Sequence, residues 1–289
     1  MRQYRYRLLN VFAESTFGGN PLCVFEDARG LSDAEMLALA RQFNLSETTF
    51  VLPSDRADAR VRIFAPGYEM RFAGHPTLGT AEVVAPGRRA QLEFAAGVVP
   101  VECDGSVRTF TAPVDRVPTL RPVDLPAAAV AALLGLDEGD LAAAPCWVDT
   151  GADQLLIPVR TRQAVERAQP DSTRMAQWPL SSLESRTGYV FALGDSVDGR
   201  TEVDARFFFT TRGSDVVEDP GTGSACANLG GWLLAHGHAA RSLRIRQGAQ
   251  IDRPCTLLLD IEPPHGIRVG GRVLELGRGV VSLPDEPAA

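Results

Sequence analysis

Short runs of apolar and β-branched residues recur along the chain and predict many strands with few helices. In the first part of the chain they cover residues 6–12, 22–25, 49–52, 60–64 and 91–94, and in the second part residues 146–149, 155–159, 189–193, 205–209, 243–246, 256–261 and 273–281. Helical spacing of apolar residues occurs at 32–42, where Ser32 can cap the first turn, and at 126–134. Because strands dominate without a regular alternation with helices, the pattern does not predict a doubly wound sheet.

Four prolines interrupt this pattern near the middle of the chain: Pro113, Pro118, Pro122 and Pro126. Such a cluster is typical of a linker between two halves. We therefore predict an N-terminal lobe of residues 1–118 and a C-terminal lobe of residues 119–274. Residues 275–289 are a candidate to complete the first lobe.

The two halves repeat one another. Residues 75–81 match residues 219–225 without gaps at an offset of 144, and the same offset places the Arg-x-Phe sequence at 62–64 on the Arg-x-Phe at 206–208. Each half is therefore predicted to contain a strand, then a loop, and then a His/Asp-Pro-x-x-Gly-Ser/Thr-Ala sequence at the start of a helix. Two blocks that share one offset indicate a duplicated unit.

The two predicted helices, residues 77–84 and 222–235, carry a single charge and are rich in small and apolar residues. A helix that is apolar on nearly every side is buried, so we expect strands around each of them. Pro76 and Pro220 are predicted at the first helical position, where the missing N–H costs nothing. The free N–H groups at such helix starts can bind an anion.

The residues at these helix starts have two interpretations. Asp219 before Pro220 suits a helix cap as well as a function, whereas His75 at the matching place is not a favoured cap and points to function. Ser224 and Thr80 are expected in the second turn, where a hydroxyl can bond its own helix backbone or a ligand.

Glu47 is a candidate general acid/base. Asn44-Leu45-Ser46-Glu47 has the spacing of a capping box, but the β-forming run Thr48-Thr49-Phe50-Val51-Leu52 follows it instead of a helix. A carboxyl group at a loop–strand junction can serve in proton transfer, particularly if an apolar wall such as Phe50 raises its pKa.

Composition narrows the chemistry. The net charge of −7 disfavours nucleic acid or an anionic membrane as a partner. All 29 basic residues are arginines, and the absence of lysine excludes pyridoxal phosphate enzymes, lysine aldolases, Walker A proteins and protein kinases. The five scattered cysteines and the four histidines show no metal-site spacing. With no signal peptide in the polar N-terminus, we expect a cytoplasmic protein with reduced thiols.

The motifs taken together resemble the phenazine-biosynthesis isomerase family, also called PhzF-like. The resemblance rests on GNPL at 19–22, LSETTFV at 45–51, FAGHPTLGTA at 72–81 and EDPGTGSA at 218–225, and continues with QG at 247–248 and RP at 253–254. Three positions depart from the family pattern: Asn10, Gly221 and Cys255 replace a more usual Asp, a larger residue and Ser.

The resemblance implies the diaminopimelate-epimerase fold, an α+β fold of two pseudo-symmetric lobes, each a mostly antiparallel strand barrel around a central helix. It also implies a homodimer without a cofactor or metal, acting on a small molecule. The family's phenazine enzyme isomerises trans-2,3-dihydro-3-hydroxyanthranilate. By resemblance, Glu47 would move the proton, with His75 and Asp219 as further catalytic groups. The substrate-binding set would be Gly74, Gly221, Thr222, Gly223 and Ser224, with backbone N–H groups at Gly74 and Gly223 binding a carboxylate.

Three alternatives remain open from the sequence. An amino-acid racemase or epimerase of the same fold would use a cysteine near the start of each central helix, but those places hold approximately Gly74 and Asp219, and Cys226 is matched with Glu82 by the 144 offset. A non-catalytic binding protein would not need the Glu47, His75, Asp219 and Ser224 set. A dinucleotide loop at residues 221–223 lacks the third glycine and the β-α-β context.

Overall fold

The computed structural model describes residues 1–112, 114, 116–182, 184–210 and 216–285, with the side chain of Met175 outside the description. Pro113 of the predicted linker lies outside the described residues. The chain divides into two compact units. The first contains Met1–Phe110 and the segment from Gly270 onward, and the second is Thr111–Val269. Pro118, Pro122 and Pro126 therefore belong to the second unit.

The first unit consists of β-strands with two helices. Its elements in chain order are β1 (Arg2–Val11), β2 (Asn20–Phe25), α1 (Asp33–Phe43), β3 (Thr48–Leu52), β4 (Ala59–Ala65), β5 (Tyr68–Met70), α2 (Gly74–Val84), β6 (Ala90–Phe94), β7 (Gly97–Asp104) and β8 (Val107–Thr111). The Ser32 side chain caps α1, as the sequence predicts, and the structure adds a capping box between Ser32 and Glu35.

The second unit carries the remaining elements: β9 (Arg121–Pro122), α3 (Ala127–Leu133), β10 (Cys146–Asp149), β11 (Asp153–Pro158), α4 (Arg162–Arg167), β12 (Thr187–Val197), β13 (Arg200–Thr210), β14 (Val216–Asp219), α5 (Gly223–Ala235), β15 (Arg241–Gln247), β16 (Cys255–Glu262) and β17 (Gly266–Leu283). Short 3-10 turns lie at Glu138–Asp140, Ser172–Gln177 and Ala249–Ile251. Strand β17 begins in the second unit and ends in the first.

Strand pairing repeats from one unit to the other. In the first unit, β1–β2, β3–β4 and β6–β7 are antiparallel, while β2–β3 and β4–β6 are parallel. In the second unit, β10–β11, β12–β13 and β15–β16 are antiparallel, while β11–β12 and β13–β15 are parallel. The predicted α+β fold of two similar, mostly antiparallel lobes is confirmed.

The first unit closes into a barrel of eight strands. Strand β8 pairs with β7 and β17, and β17 pairs with β1, so the ring runs β1-β2-β3-β4-β6-β7-β8-β17 and returns to β1. Helix α2 packs against β1, β2, β3 and β6 of this ring. A Cβ at Gly79 would lie 2.5 Å from Leu22 Cδ2, so glycine is what lets helix and wall approach this closely.

Helix α5 has the same central role in the second unit. Eleven of its residues are buried, and it packs against β10, β11 and β16. At Gly230 a Cβ would lie 2.9 Å from Ile267 Cγ2. The expectation that both apolar helices are buried among strands is confirmed.

The predicted starts of these helices need correction. Helix α2 begins at Gly74 with Ala73 as its N-cap, so Pro76 is the third helical residue and not the first. Proline is tolerated there because the first-turn N–H groups have no acceptor within the helix. Helix α5 begins at Gly223 with Thr222 as its N-cap, so Pro220 lies before the helix.

The Arg-x-Phe repeat is a repeated side-chain arrangement. Arg62 lies over the Phe64 ring at 5.0 Å and pairs with Glu69, which is opposite Phe64 on β5. In the second unit Arg206 lies over the Phe208 ring at 4.7 Å and pairs with Glu218, opposite Phe208 on β14. The predicted match between these strands is confirmed at the level of contacts.

The 144 offset does not hold at the central helices. Glu69 and Glu218 each precede the first residue of the following helix by five positions, although five more residues separate Phe208 from Glu218 than separate Phe64 from Glu69. Counted from the helix starts, His75 corresponds to Ser224 and not to Asp219. The gap-free alignment of residues 75–81 with residues 219–225 is therefore wrong, because five extra residues between Phe208 and Glu218 shift the second helix relative to the first.

Candidate active site

Glu47 lies between α1 and β3. Asn44 ends α1 in the left-handed conformation (φ 52°) and β3 starts at Thr48, so no helix follows and the capping-box interpretation is excluded. The Glu47 side chain is 16% exposed, but its Oε2 atom is fully buried and has no hydrogen-bond partner among the described residues. Burial raises the pKa of Glu47 to about 7, and a hydrogen bond with the Ser46 side chain opposes this shift in part.

His75 is the second residue of α2, and its side chain is 6% exposed. Its Nε2 atom lies 3.4 Å from Oε2 of Glu47. The first unit thus brings together two groups that are 28 positions apart in the sequence. Since Ala73 is the N-cap of α2, His75 has no capping role.

A carboxyl group with a pKa near 7 exists in both protonation states at neutral pH. It can therefore accept a proton from a weak acid and return it without a large free-energy penalty for either form. The His75 imidazole beside it adds a second group that can donate or accept a hydrogen bond. This pair has the chemistry of a general acid/base site.

The structure shows the contacts or the burial of three further residues in this region. Phe50, the expected wall beside Glu47, stacks on Phe25 at 4.9 Å in the cluster that covers α1. Thr80 is buried and shares a hydrogen bond of 2.9 Å with Thr49, which explains it structurally. Gly74, the first residue of α2, is buried.

Asp219 ends β14, opposite Phe207. Its Oδ2 atom accepts a hydrogen bond of 2.5 Å from the Thr222 hydroxyl. Gln247 donates to Thr222 Oγ1 at 3.0 Å and to the Asp219 carbonyl at 2.9 Å. Asp219 is therefore not the cap of α5, as the cap interpretation required, because Thr222 occupies the N-cap position.

The loop at residues 219–223 is held by a close backbone contact. Gly248 has a φ of +80°, and a Cβ there would lie 2.5 Å from the Pro220 carbonyl oxygen and 2.4 Å from that of Arg253. Only glycine fits this position without strain. The contact fixes Pro220, and with it the chain path through Gly221 to Thr222 and Gly223.

Ser224 is the second residue of α5, in its first turn and not in the second turn as predicted. Its Oγ accepts a hydrogen bond of 2.9 Å from Gln154 Nε2. Gln154 in turn bonds to Asn228, and both amide side chains are buried. The structure thus adds Gln154, Asn228 and Gln247 to the surroundings of the predicted site residues.

The sequence signals for these three additional residues were unequal. Gln247 stands in a motif that the family resemblance already included, but its contact with Thr222 was not predicted. Gln154 and Asn228 lie within a strand and a helix of mostly apolar residues, so a polar residue at a predicted core position was the one available signal.

A thiol-pair site is not supported in the described part of the chain. Cys226 is buried, and burial raises the pKa of its thiol, which disfavours the reactive thiolate. Counted from the helix starts, its counterpart in α2 is Thr77. Among the described residues, no three His, Cys, Asp or Glu side chains are grouped to hold a metal.

Two further observations concern a cavity and the helices. A cavity of about 260 Å³ in the second unit is lined by residues that include Arg121, Trp147 and Asp153, and no predicted site residue lines it. None of the helices in the described ranges is long and apolar enough to cross a membrane.

Fold and site together define an α+β protein of two similar lobes with a buried carboxyl–imidazole pair in the first of them. A family model described as phenazine biosynthesis-like protein matches residues 9–283, and the chain belongs to this family. It is 38% identical to an uncharacterized isomerase of Pasteurella multocida (97% of this chain, 95% of the relative). It is 33% identical to the trans-2,3-dihydro-3-hydroxyanthranilate isomerase of Pseudomonas chlororaphis (97% and 100%).

The fold comparison agrees. A crystal structure of a PhzF-family phenazine biosynthesis protein from Bacillus anthracis superimposes with a TM-score of 0.84 at 22% identity, covering 98% of this chain and 100% of that one. This likeness establishes the fold, and the relatives named as isomerases establish the enzyme class.

Proposed function

We propose that this isomerase moves a proton between two carbon atoms of a small carboxylate-bearing metabolite, with Glu47 as the general acid/base and without a cofactor. The observation that carries the proposal is the buried Glu47 carboxyl group, with a pKa near 7, beside His75. A general acid/base works best when its pKa lies near the working pH, because neither protonation state is then scarce.

The proton balance of the reaction is closed. Ionised Glu47 takes a proton from one carbon of the substrate, and the electron pair of the broken C–H bond enters the neighbouring π-system. Protonated Glu47 then returns the proton to another carbon of the same molecule. Glu47 is therefore ionised again at the end of the reaction, and the enzyme is back in its starting state. His75, 3.4 Å from the carboxyl group, holds the substrate oxygen or nitrogen nearest to the reacting carbon.

The second unit contributes the remaining predicted groups to the proposal. Asp219 is a fixed hydrogen-bond acceptor because Thr222 and Gln247 orient it. Ser224 and the backbone N–H groups at Gly74 and Gly223 are proposed to bind the polar groups of the substrate, the carboxylate in particular, with Gly221 and Thr222 as further substrate-binding residues of the same loop. We further propose a homodimer, which the molar mass in solution tests.

The substrate class follows from the relative of known activity. The first compound to test is trans-2,3-dihydro-3-hydroxyanthranilate, the substrate in the name of the 33% identical enzyme. Because an identity of 33% does not establish a shared substrate, related cyclic acids belong in the same panel.

The experiment measures isomerisation and deuterium incorporation in D₂O. We expect the wild-type protein to convert one member of the panel, and Glu47→Gln to lose at least about a thousandfold in rate, because the amide cannot exchange a proton. Glu102→Gln, an exposed glutamate of the same unit, is the matched control and keeps full activity. Full activity of the Glu47 variant would refute the mechanism.

A thiol reagent separates this proposal from the epimerase alternative. The buried position and raised pKa of Cys226 predict slow alkylation and retained activity. Complete inactivation in proportion to alkylation of Cys226 would instead support a thiol mechanism.

A further inference from the structure

A chain of buried amide side chains leads to Ser224 from the turn between β10 and β11. Asn228 is 0% exposed, and Gln154 and Thr150 are each 6% exposed. Asn228 Oδ1 accepts hydrogen bonds from the Thr150 backbone N–H at 2.9 Å and from the Thr150 hydroxyl at 2.7 Å. Each side-chain nitrogen and oxygen atom of Thr150, Gln154 and Asn228 has at least one hydrogen-bond partner, as burial requires.

Two backbone groups fix the orientation of Asn228. The Thr150 N–H can only donate, so the atom facing it is the carbonyl oxygen of the amide. The Ala152 carbonyl can only accept, and the Nδ2 atom of Asn228 donates to it at 2.9 Å. A flipped amide would oppose both contacts, so the assignment does not depend on a choice between two similar atoms.

The orientation passes from Asn228 to Gln154. Asn228 Nδ2 donates its second proton to Gln154 Oε1 at 2.9 Å. Gln154 must therefore present its NH₂ group to Ser224, and Nε2 donates to Ser224 Oγ at 2.9 Å. Because a hydroxyl has a single proton, Ser224 accepts this bond and keeps its own proton for a different partner.

We propose that Gln154 and Asn228 are positioning residues that hold Ser224 as a hydrogen-bond donor toward a carboxylate or carbonyl oxygen of the substrate. Among the described residues, Gln154 is the one hydrogen-bond partner of the Ser224 hydroxyl, which leaves its proton directed at the substrate. A substrate hydroxyl or ammonium group that must donate at this place is disfavoured. The inference rests on the proposed function, in which Ser224 contacts the substrate.

The first test does not need a substrate. Neutron diffraction from crystals of the deuterated protein shows the deuterons of the amides and of the Ser224 hydroxyl. We expect a Gln154 Nε2 deuteron on the line to Ser224 Oγ and the Ser224 deuteron turned away from Gln154. A Ser224 deuteron on Gln154, or an oxygen of Gln154 facing Ser224, overturns the inference even if the proposed function is correct.

The second test uses Gln154→Glu, which keeps the shape of the side chain. The new carboxyl group can donate to Ser224 when protonated but can only accept when ionised, and then it takes the Ser224 proton from the substrate. The measured quantity is kcat/KM of Gln154→Glu for trans-2,3-dihydro-3-hydroxyanthranilate, divided by the wild-type value at the same pH. We expect this ratio to fall about 10- to 100-fold as pH rises. A purely structural role would lower this ratio equally at every pH.

Two controls complete the design. Gln163→Glu adds the same charge at an exposed position of α4, and its ratio to wild type stays flat. In a Ser224→Ala background, Gln154→Glu produces no further pH-dependent loss, because its effect acts through the hydroxyl. A loss that persists there refutes the inference, whereas absence of wild-type turnover refutes the proposed substrate and leaves the neutron result to decide.

Discussion

The Nε2 atom of His75 lies 3.4 Å from Oε2 of Glu47, so the start of helix α2 and the junction before strand β3 bring an imidazole and a carboxyl group together in the first unit. The sequence places the two residues in separate motifs. Their proximity makes one buried pair out of two candidate residues that the sequence alone does not connect.

The pH dependence of proton abstraction is the first prediction. Since burial raises the pKa of Glu47 to about 7, the fraction in the basic, ionised form falls about tenfold for each pH unit below that value. We expect the rate of substrate deuteration to rise up to about pH 7 and then to level off. A profile that levels off already near pH 4.5, the ordinary value for a glutamate, would contradict the assigned burial effect.

The second prediction concerns stability. A carboxyl group whose pKa is higher in the folded state stabilises the fold fully below the unfolded-state pKa, and this contribution is lost as pH rises through about 7. Glu47→Gln has no such loss, so above pH 7 we expect it to be more stable than wild type by about 3 kcal/mol. Urea unfolding at pH 5 and pH 8 measures the difference, with Glu102→Gln as the control. Equal stability of the two proteins at pH 8 would be evidence against a buried, strained carboxylate.

The repeated Arg–Glu pairs supply the third prediction. In the second unit Arg206 and Glu218 are each 7% exposed, whereas in the first unit Glu69 is 40% exposed. Removing one partner of a buried pair leaves a charge without compensation, so Glu218→Gln is expected to cost about 3 kcal/mol. Glu69→Gln, at the equivalent position, should cost about 1 kcal/mol or less. Chemical denaturation of the two variants checks the comparison, and equal losses would show that burial does not govern these pairs.

The fourth prediction tests the backbone contact at the Asp219 loop. Gly248 and Gly237 share the left-handed conformation, with φ of +80° and +75°, but a Cβ meets the Pro220 backbone only at Gly248 and nothing within 4 Å at Gly237. Alanine is strained at both positions because of the positive φ, and at position 248 its Cβ also displaces Pro220. We expect Gly248→Ala to be less stable than Gly237→Ala by about 2 kcal/mol and to lose activity selectively. Similar behaviour of the two variants would show that the loop tolerates the shift.

Strands and central helices were predictable because burial leaves a clear sequence pattern. Strand β4, with alternating burial, and helix α5, uncharged and mostly apolar, are both found where the pattern puts them. Helix α4 and strand β14 were missed because each is short. Helix α4 is also mostly exposed, and only two of its residues are buried.

The correspondence between His75 and Ser224 was not predictable from the matching letters. Pro, Gly, Ser or Thr, and Ala occur in both segments, so the gap-free alignment looked better than the correct one. The helix starts show the true equivalence, because the N-cap carbonyls of Ala73 and Thr222 accept from Thr77 and Cys226 respectively. An insertion before the second helix shifts the sequence but leaves the cap geometry unchanged.

The polar residues behind the site were not predictable for a different reason. Gln154, Asn228 and Gln247 have no sequence spacing in common, and each acts through tertiary contacts. Their importance depends on which backbone groups they reach, and only the folded chain specifies this.

Strand β17 has a consequence for the order in which the protein is made. The barrel of the first unit is closed by the part of β17 that pairs with β1, residues 273–283, and these leave the ribosome after the entire second unit. The lobe that is synthesised first therefore completes its barrel last. Until then, β1 and β8 are open edges, and the growing chain must keep them from pairing with other molecules.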